Sequence, residues 1–309
     1  MSELSFQPED DYVQSANSLF HFMKEADYLK DALGRSALVP RYCVETIDYL
    51  GIKSRGKLYD KIAVLQKCFC DLPFHQMGEP FPLTPVQAEK NKLSEEERIF
   101  FEKSNTHCSF YGEYGLAFSK SWGERNRLQP VHYLNSNSAY TENYSKLFKQ
   151  ILAEEDLPDS ISQDVIERLS FIKPLRGIME RKLQHKDGTY ITIQVFKNFH
   201  DEHEWRYVPD PDALASLKME CIIANQRILN LSNEISKRIE DEKYKALWLN
   251  FSYKDIRYII VPDNDARLDI ISAIMELPES NFQEDKSVQL SKQLLVSKLV
   301  VLSEIRKDW

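Results

Sequence analysis

Glu204 and Arg206 stand two residues apart in the segment Glu202-His203-Glu204-Trp205-Arg206-Tyr207-Val208-Pro209-Asp210. In an extended strand, side chains at i and i+2 share a face. The carboxylate and the guanidinium therefore point one way and Trp205 the other. With Trp205 in a core, the Glu/Arg face is either a functional site or a solvated edge. His21, between Phe20 and Phe22, is either a site imidazole or a hydrogen-bonded histidine at a strand end. Tyr111 and Tyr114 flank glycines in Tyr111-Gly112-Glu113-Tyr114-Gly115 and read either as rings presented to a ligand or as packing residues, in a chain with 15 tyrosines.

Other constellations are weaker. Cys68-x-Cys70 with His75, His107 and Cys108 supplies thiolate and imidazole donors, but a C-x-C pair on one strand lacks the C-x2-C turn and the matching second pair of a zinc site. No metal is expected, and the two cysteines read as small buried residues. Asp71, just after that strand, is a candidate cleft residue, and Lys120 reads more simply as a surface charge. Ser119 lacks the G-x-S-x-G elbow of a serine nucleophile. His185-Lys186-Asp187-Gly188 and Pro262-Asp263-Asn264-Asp265 lack the oxygen-ligand spacing of an EF-hand and are read as turns.

The elements that must position these groups follow from apolar periodicity. Residues 1–18 form a polar lead-in, and the remainder, 19–309, is read as a single α+β domain with a helical insertion at 78–105. Leu19 to Phe22 is a strand entering a helix over Ala26 to Leu33. Ile62 to Leu65, continuing through Cys68-Phe69-Cys70, is a buried strand stopped by Pro73. The insertion carries Pro80, Pro82 and Pro85, then a charged helix with Ser94 at the N-cap and Glu97 at capping-box spacing, and reads as a lid, a partner surface or nothing beyond a decorated loop. Leu116 to Phe118 is a strand leading into a helix from Lys120 to Asn126, and Pro130 to Leu134 is another strand. Ser138 to Ser170 is mainly helical. Gly177 to Gln184 and Tyr190 to Phe196 form a hairpin around Asp187-Gly188. Glu204 to Val208 is a strand, and Pro211 opens a broken helical stretch toward Asp241. Ile256 to Val261 is a late core strand before a helix from Asp265 to Leu277. Leu294 to Trp309 reads as a strand followed by a short helix.

Composition sets the outer bounds. The chain has 309 residues, 42% hydrophobic and 28% charged, ordinary for a globular protein. Nine glycines are few for a phosphate-cradling loop to be the organising feature. A net charge of −8 gives no global attraction to a polyanion, so a nucleic-acid target is not indicated by charge, although a local basic groove is compatible with it. Five cysteines, no signal-peptide pattern and no apolar run of membrane-spanning length lead to the expectation of a reducing, cytoplasmic setting without a membrane segment.

The ordered set Phe20-His21-Phe22, Cys68-Phe69-Cys70-Asp71-Leu72-Pro73, His107-xxx-Tyr111-Gly112-x-Tyr114-Gly115-Leu116, Ser119-Lys120-x-Trp122 and Glu204-Trp205-Arg206 resembles the AbiGi family. Ile256 to Val261 and the closing Ser303 to Trp309 extend the likeness from about Leu19 to the C-terminus. Met23 departs from an expected threonine, and the stretch between Asp71 and His107 is longer than the family pattern. The resemblance implies a component of a phage-abortive system, described as an antitoxin, with a toxin, antitoxin or phage protein as partner.

A second likeness concerns chemistry. A strand with His, a central aromatic and a late strand with Glu also resembles ADP-ribosyltransferases of the His-Tyr-Glu type, here His21, Tyr111 or Tyr114, and Glu204, with the N-terminal strand and helix similar to the opening of DNA-targeting members. The resemblance implies an ADP-ribosyltransferase-like mixed sheet core with inserted helices, NAD as cofactor, and transfer of ADP-ribose to a macromolecule or hydrolysis of NAD. Glu204 would stabilise an oxocarbenium-like centre or hold a ribose hydroxyl, Tyr111 would stack on nicotinamide, and His21 would fix the ribose. Tyr114 and Ser119 would join the cofactor site, with Asp71, His107 and Arg206 as further candidates. The alternative is a non-catalytic antitoxin or binding module on the same fold.

Overall fold

A computed structural model of the chain describes residues 16–54, 57–79, 83–151, 159–184, 188–282 and 287–308. Nine strands among the described residues share the principal sheet: β1 (Ser18–Met23), β2 (Arg41–Thr46), β3 (Lys61–Cys70), β4 (Tyr114–Ser119), β5 (Gln129–Pro130), β6 (Glu204–Tyr207), β7 (Ile222–Ile223), β8 (Ile256–Val261) and β9 (Leu299–Val301). Their order is β9-β8-β4-β1-β3-β6-β5, with β2 and β7 also on β3. All neighbours are antiparallel except β8 and β9, which makes the sheet mixed and the class α+β.

Strand β3 is the axis, because its apolar run Ile62 to Leu65 is buried on both faces and its ten residues outlast any single partner. β2 pairs with it from Lys61 to Gln66, β6 from Lys67 to Cys70, and β1 meets it only at Cys70, opposite Phe20. The pairing of β2 thus ends four residues before that of β1 begins, and the strands diverge there. Leu19, Phe69, Phe118, Trp122, Trp205 and Ile259 form the main core on one side of the sheet, with α1 (Ala26–Arg35) and the helix Asn264–Glu276 over it.

The expected helical insertion contains α2 (Glu95–Ser104), opened by a complete capping box between Ser94 and Glu97. Thr84–Pro85 adds an edge to the hairpin Arg176–Gln184/Tyr190–Asn198, and Leu83 and Phe101 bury against Phe110, Ile193 and Val195. The segment is therefore packed by its own small core. Pro80, Pro82 and the hairpin residues His185 to Asp187 lie outside the described residues, while Gly188 has the positive φ of 86° that the Asp-Gly turn calls for. No helix among the described residues is long and apolar enough to cross a membrane.

Several boundaries differ from the sequence reading. Ser18, assigned to the polar lead-in, is already buried in β1 because it faces Ser119 in the β1/β4 ladder; residues 1–15 lie outside the described residues, as does Trp309. Tyr111, read as part of a turn, closes the short helix α3 (His107–Tyr111), which a second capping box between Thr106 and Ser109 starts. Strand β2 was not anticipated, since it has no period-2 pattern: Tyr42 and Val44 share one face yet are buried and exposed respectively, and Arg41 and Glu45 put charges on the other.

Gly112 then turns the chain from α3 into β4 at φ 130°, and a Cβ there would overlap the Met23 carbonyl oxygen. Only glycine permits this approach of α3 to β1. Gly112→Ala is expected to lower the unfolding free energy by about 1–3 kcal/mol in urea titration. Gly34→Ala, which meets open space at the end of α1, is expected to leave it unchanged or raise it by up to about 1 kcal/mol.

Candidate functional site

The divergence of β1 and β2 along β3 opens a cavity of about 280 Å³ lined by His21 and Phe22 of β1, Cys43 and Glu45 of β2, Cys68 of β3, His107 and Tyr111 of α3, and Lys173, Glu202 and Glu204. His21, Tyr111 and Glu204, separated widely in sequence, thus line one space, and His107 joins them. A larger cavity of about 970 Å³ lies elsewhere, between Arg125, Phe171, Tyr207 and Met219, and none of the sequence candidates lines it. Size alone is a poor guide here, so the convergence of polar groups marks the smaller space as the candidate site.

His21 donates from Nδ1 to the Cys68 carbonyl oxygen at 2.8 Å, which spans the gap between the diverging strands and leaves Nε2 as the acceptor nitrogen. Burial, and then the charge of Lys67, push its pKa well below the usual histidine value, so the ring is neutral. Phe22, His107 and Tyr111 form an aromatic wall, with ring centroids 5.4 Å apart for Phe22/His107 and 4.7 Å for His107/Tyr111.

Beneath this wall runs a chain of alternating charges. Arg206, fully buried, donates from Nε to Glu204 Oε1 at 2.7 Å, from one terminal nitrogen to Glu45 Oε1 at 2.7 Å, and from the other to the Ser170 carbonyl at 2.8 Å. Lys173 Nζ bridges Glu204 Oε2 at 2.9 Å and Glu202 Oε2 at 2.7 Å. Glu202 Oε1 accepts from Lys197 Nζ and from the Tyr111 hydroxyl, and Lys197 also donates to that hydroxyl oxygen. The chain contains Glu45, Glu202 and Glu204 against Lys173, Lys197 and Arg206, and so is formally neutral. Burial opposes ionisation of Glu204, but Arg206 and then Lys173 outweigh it and hold the carboxyl far below its ordinary range. Lys173 and then Lys197 likewise outweigh burial at Glu202 and lower its carboxyl pKa. Burial, reinforced by Glu202, keeps the Tyr111 phenol protonated.

The Glu204/Arg206 face, open in sequence between a site and a solvated edge, is not solvated: both side chains are buried, and Trp205 lies in the main core on the opposite face. The remaining sequence candidates do not reach the cavity. Tyr114 packs against the main core, whereas Ser119 caps the helix α4 (Lys120–Arg125) by accepting from the Trp122 amide at 3.1 Å. Asp71 pairs with buried Lys120 at 2.6 Å, so Lys120 is an internal ion-pair partner and the surface-charge reading is corrected. Among the described residues no group of three or more His, Cys, Asp or Glu side chains could hold a metal ion.

Four members of the charge chain, Glu45, Lys173, Lys197 and Glu202, were not singled out from sequence. Glu202 extends the Glu204/Arg206 alternation by one step and carried a visible signal. Lys173, in a three-residue strand after a long helical stretch, carried none.

A family model described as "Putative abortive phage resistance protein AbiGi, antitoxin" matches residues 99–262. A Lactococcus lactis subsp. cremoris protein named "Abortive phage resistance protein AbiGi" is 34% identical over 284 residues, covering 88% of this chain and all of that relative. No solved structure matches, so the ADP-ribosyltransferase-like core rests on no structural neighbour.

Two outcomes follow from the electrostatics. Lys173→Met leaves Glu202 and Glu204 facing each other with one bridge removed, and should destabilise the fold by about 3–5 kcal/mol, read by urea unfolding. Burial, and then Lys197, lower the His107 pKa to about 4 from an ordinary 6.5. The unfolded chain therefore binds more protons between those values, and stability is full above about pH 6.5 and is lost as pH falls toward 4, by up to about 3 kcal/mol for this residue. His21 acts in the same direction. Unfolding curves collected from pH 7.5 to 4.5 should flatten in part in His107→Phe.

Proposed function

Because the chain belongs to the AbiGi family, we propose that it serves abortive phage resistance by acting on an NAD-type dinucleotide at the cavity beneath Tyr111, breaking the bond between nicotinamide and ribose. The observation that carries this reading is the convergence of His21, Tyr111 and Glu204 on one recess. In the reaction the glycosidic C–N bond breaks with its electron pair leaving on nicotinamide. The ribose carbon passes through an oxocarbenium-like state, and water or a nucleophile on a macromolecule forms the new bond and releases its proton to solvent.

Geometry refines the part each residue takes. Glu204 has about four acceptor positions, and its three donor contacts, one from Lys173 and two from Arg206, leave one on Oε1. A ribose hydroxyl fits that position. Because Arg206 and Lys173 neutralise the carboxylate, its contribution is to orient the sugar more than to face developing positive charge. His21 Nε2 accepts from a second hydroxyl. The aromatic wall of Phe22, His107 and Tyr111 receives the planar nicotinamide; Tyr111 is itself held by His107 and Lys197, so its ring is preorganised.

The alternative, a non-catalytic antitoxin that binds a toxin partner, is favoured by the description of the matching family model and by one surface feature. Ile178 and Phe196 are cross-strand neighbours on the hairpin, 44% and 50% exposed, an apolar pair left uncovered among the described residues, with Ile178 at the margin of the space between the hairpin and β2.

Cells carrying the protein should survive infection as a population and lose NAD once infected. Glu204→Gln, checked for retained secondary structure and melting behaviour, should abolish both effects, and Tyr111→Ala should reduce them by at least about tenfold. Protection retained by a folded Glu204→Gln protein, together with its loss in an Ile178→Ser/Phe196→Ser double variant, would instead establish the binding role.

A further inference from the structure

The cavity beneath Tyr111 is too small for a whole dinucleotide and continues in two directions, Tyr111 lining all three spaces. One limb, of about 490 Å³, runs between β2 and the hairpin and is lined by Glu45, Glu180 and Glu202 against Lys61 and Lys173. The other, of about 610 Å³, runs between β1, α1 and β2 and is lined by Lys24, Arg41 and Lys67 against Asp31 and Glu240. The carboxylates outnumber the cations in the first limb and the cations outnumber the carboxylates in the second.

The pairing inside the second limb sharpens this difference. Asp31 is held by Arg35 Nε at 2.7 Å and Glu240 by Arg41 at 3.2 Å. Among the described residues neither Lys24 nor Lys67 has a direct ion-pair or hydrogen-bond partner, and Glu240, tied to Arg41, acts on Lys67 only at longer range. Tyr28, 56% exposed, offers a ring beside the two lysines.

We propose that Lys24 and Lys67 form a phosphate subsite that takes the diphosphate of a nucleoside diphosphate or dinucleotide whose riboside end lies against His21 and Tyr111. This deepens the dinucleotide reading above and rests on it. The recessed Lys67 ammonium lacks part of the water that would otherwise solvate it, and a phosphate oxygen restores that solvation as a charge-assisted hydrogen bond, while exposed Lys24 adds a second positive charge at the rim. The base beyond the phosphates meets Tyr28. Lys67 is desolvated enough that its pKa falls to about 8, with Cys43 and Arg41 of β2, Cys68 of its own strand, Glu240 beyond the helix Ser232–Arg238 and His21 of β1 around it. It remains mostly protonated at neutral pH, and an anion draws it back toward full protonation.

Calorimetric titration of the full chain with ADP and, separately, with nicotinamide riboside tests the assignment. Wild type should bind both. Lys24→Gln, on an exposed side chain, and Lys67→Gln should each weaken ADP by about tenfold while leaving nicotinamide riboside and the melting temperature unchanged. ADP affinity should fall as pH rises through about 8, and Lys67→Arg should move that fall to higher pH. Equal ADP binding by wild type and both variants overturns the subsite, while nicotinamide riboside binding that is lost in Tyr111→Ala keeps the dinucleotide reading. Absence of binding by either ligand to wild type overturns both. Binding of a single-stranded oligonucleotide in place of ADP overturns the choice of a nucleotide as occupant.

Discussion

Arg206 is the group on which the interior is organised. A fully buried guanidinium is costly to desolvate and is tolerated only when its donors meet acceptors of the right charge and geometry. Here Glu45, Glu204 and the Ser170 carbonyl supply them, from β2, from its own strand and from the end of a helix. The carboxylates so recruited need further cations, and Lys173 and Lys197 extend the chain until three charges of each sign are matched. Such a network contributes less to net stability than its contacts suggest, because each ion has given up water. Its larger effect is on specificity, since any other arrangement of these strands strands a charge.

The network also explains why a cavity persists at the centre of a packed domain. Strand β3 cannot be paired continuously, because β2 leaves it at Gln66 and β1 reaches it only at Cys70. The intervening backbone is satisfied by β6 on one side and, at Cys68, by the His21 imidazole. A gap lined by aromatic rings above and ion pairs below cannot collapse like an apolar void, because closing it would displace charges fixed from several elements. A polar recess of this kind suits a ligand that carries both a planar ring and hydroxyl groups.

The surrounding additions follow the same logic of local satisfaction. The insertion builds a secondary core with the hairpin, around Leu83, Phe101, Ile193 and Val195, and this core holds Lys197 and α3 in place over the recess. Two capping boxes, at Ser94 and Thr106, start the helices on either side of that contact. Gly112 then permits α3 to close against β1. The stretch between Asp71 and His107 is thereby tied to the site through packing, and none of its described side chains lines the recess.

The sequence by itself determined the mixed α+β class, the principal hairpin, the Ser94-capped helix, the strands carrying His21 and Glu204 and the family likeness. Each of these depends on residue periodicity, short-range turn and cap chemistry, or the order of motifs along the chain. It also fixed that Trp205 and Glu204 face opposite ways, because strand alternation is local. Only the tertiary structure decided that Glu204 and Arg206 are buried, that Lys173, Glu202 and Glu45 complete their ion pairs, and that Tyr114 and Ser119 stand apart from Tyr111. Those outcomes depend on which strands become neighbours: Glu45 and Arg206 are 161 residues apart, and Lys173 and Glu204 are 31 apart. No local pattern encodes such partners; the choice among them is made when the whole sheet is assembled and every buried charge must find its counterpart at once.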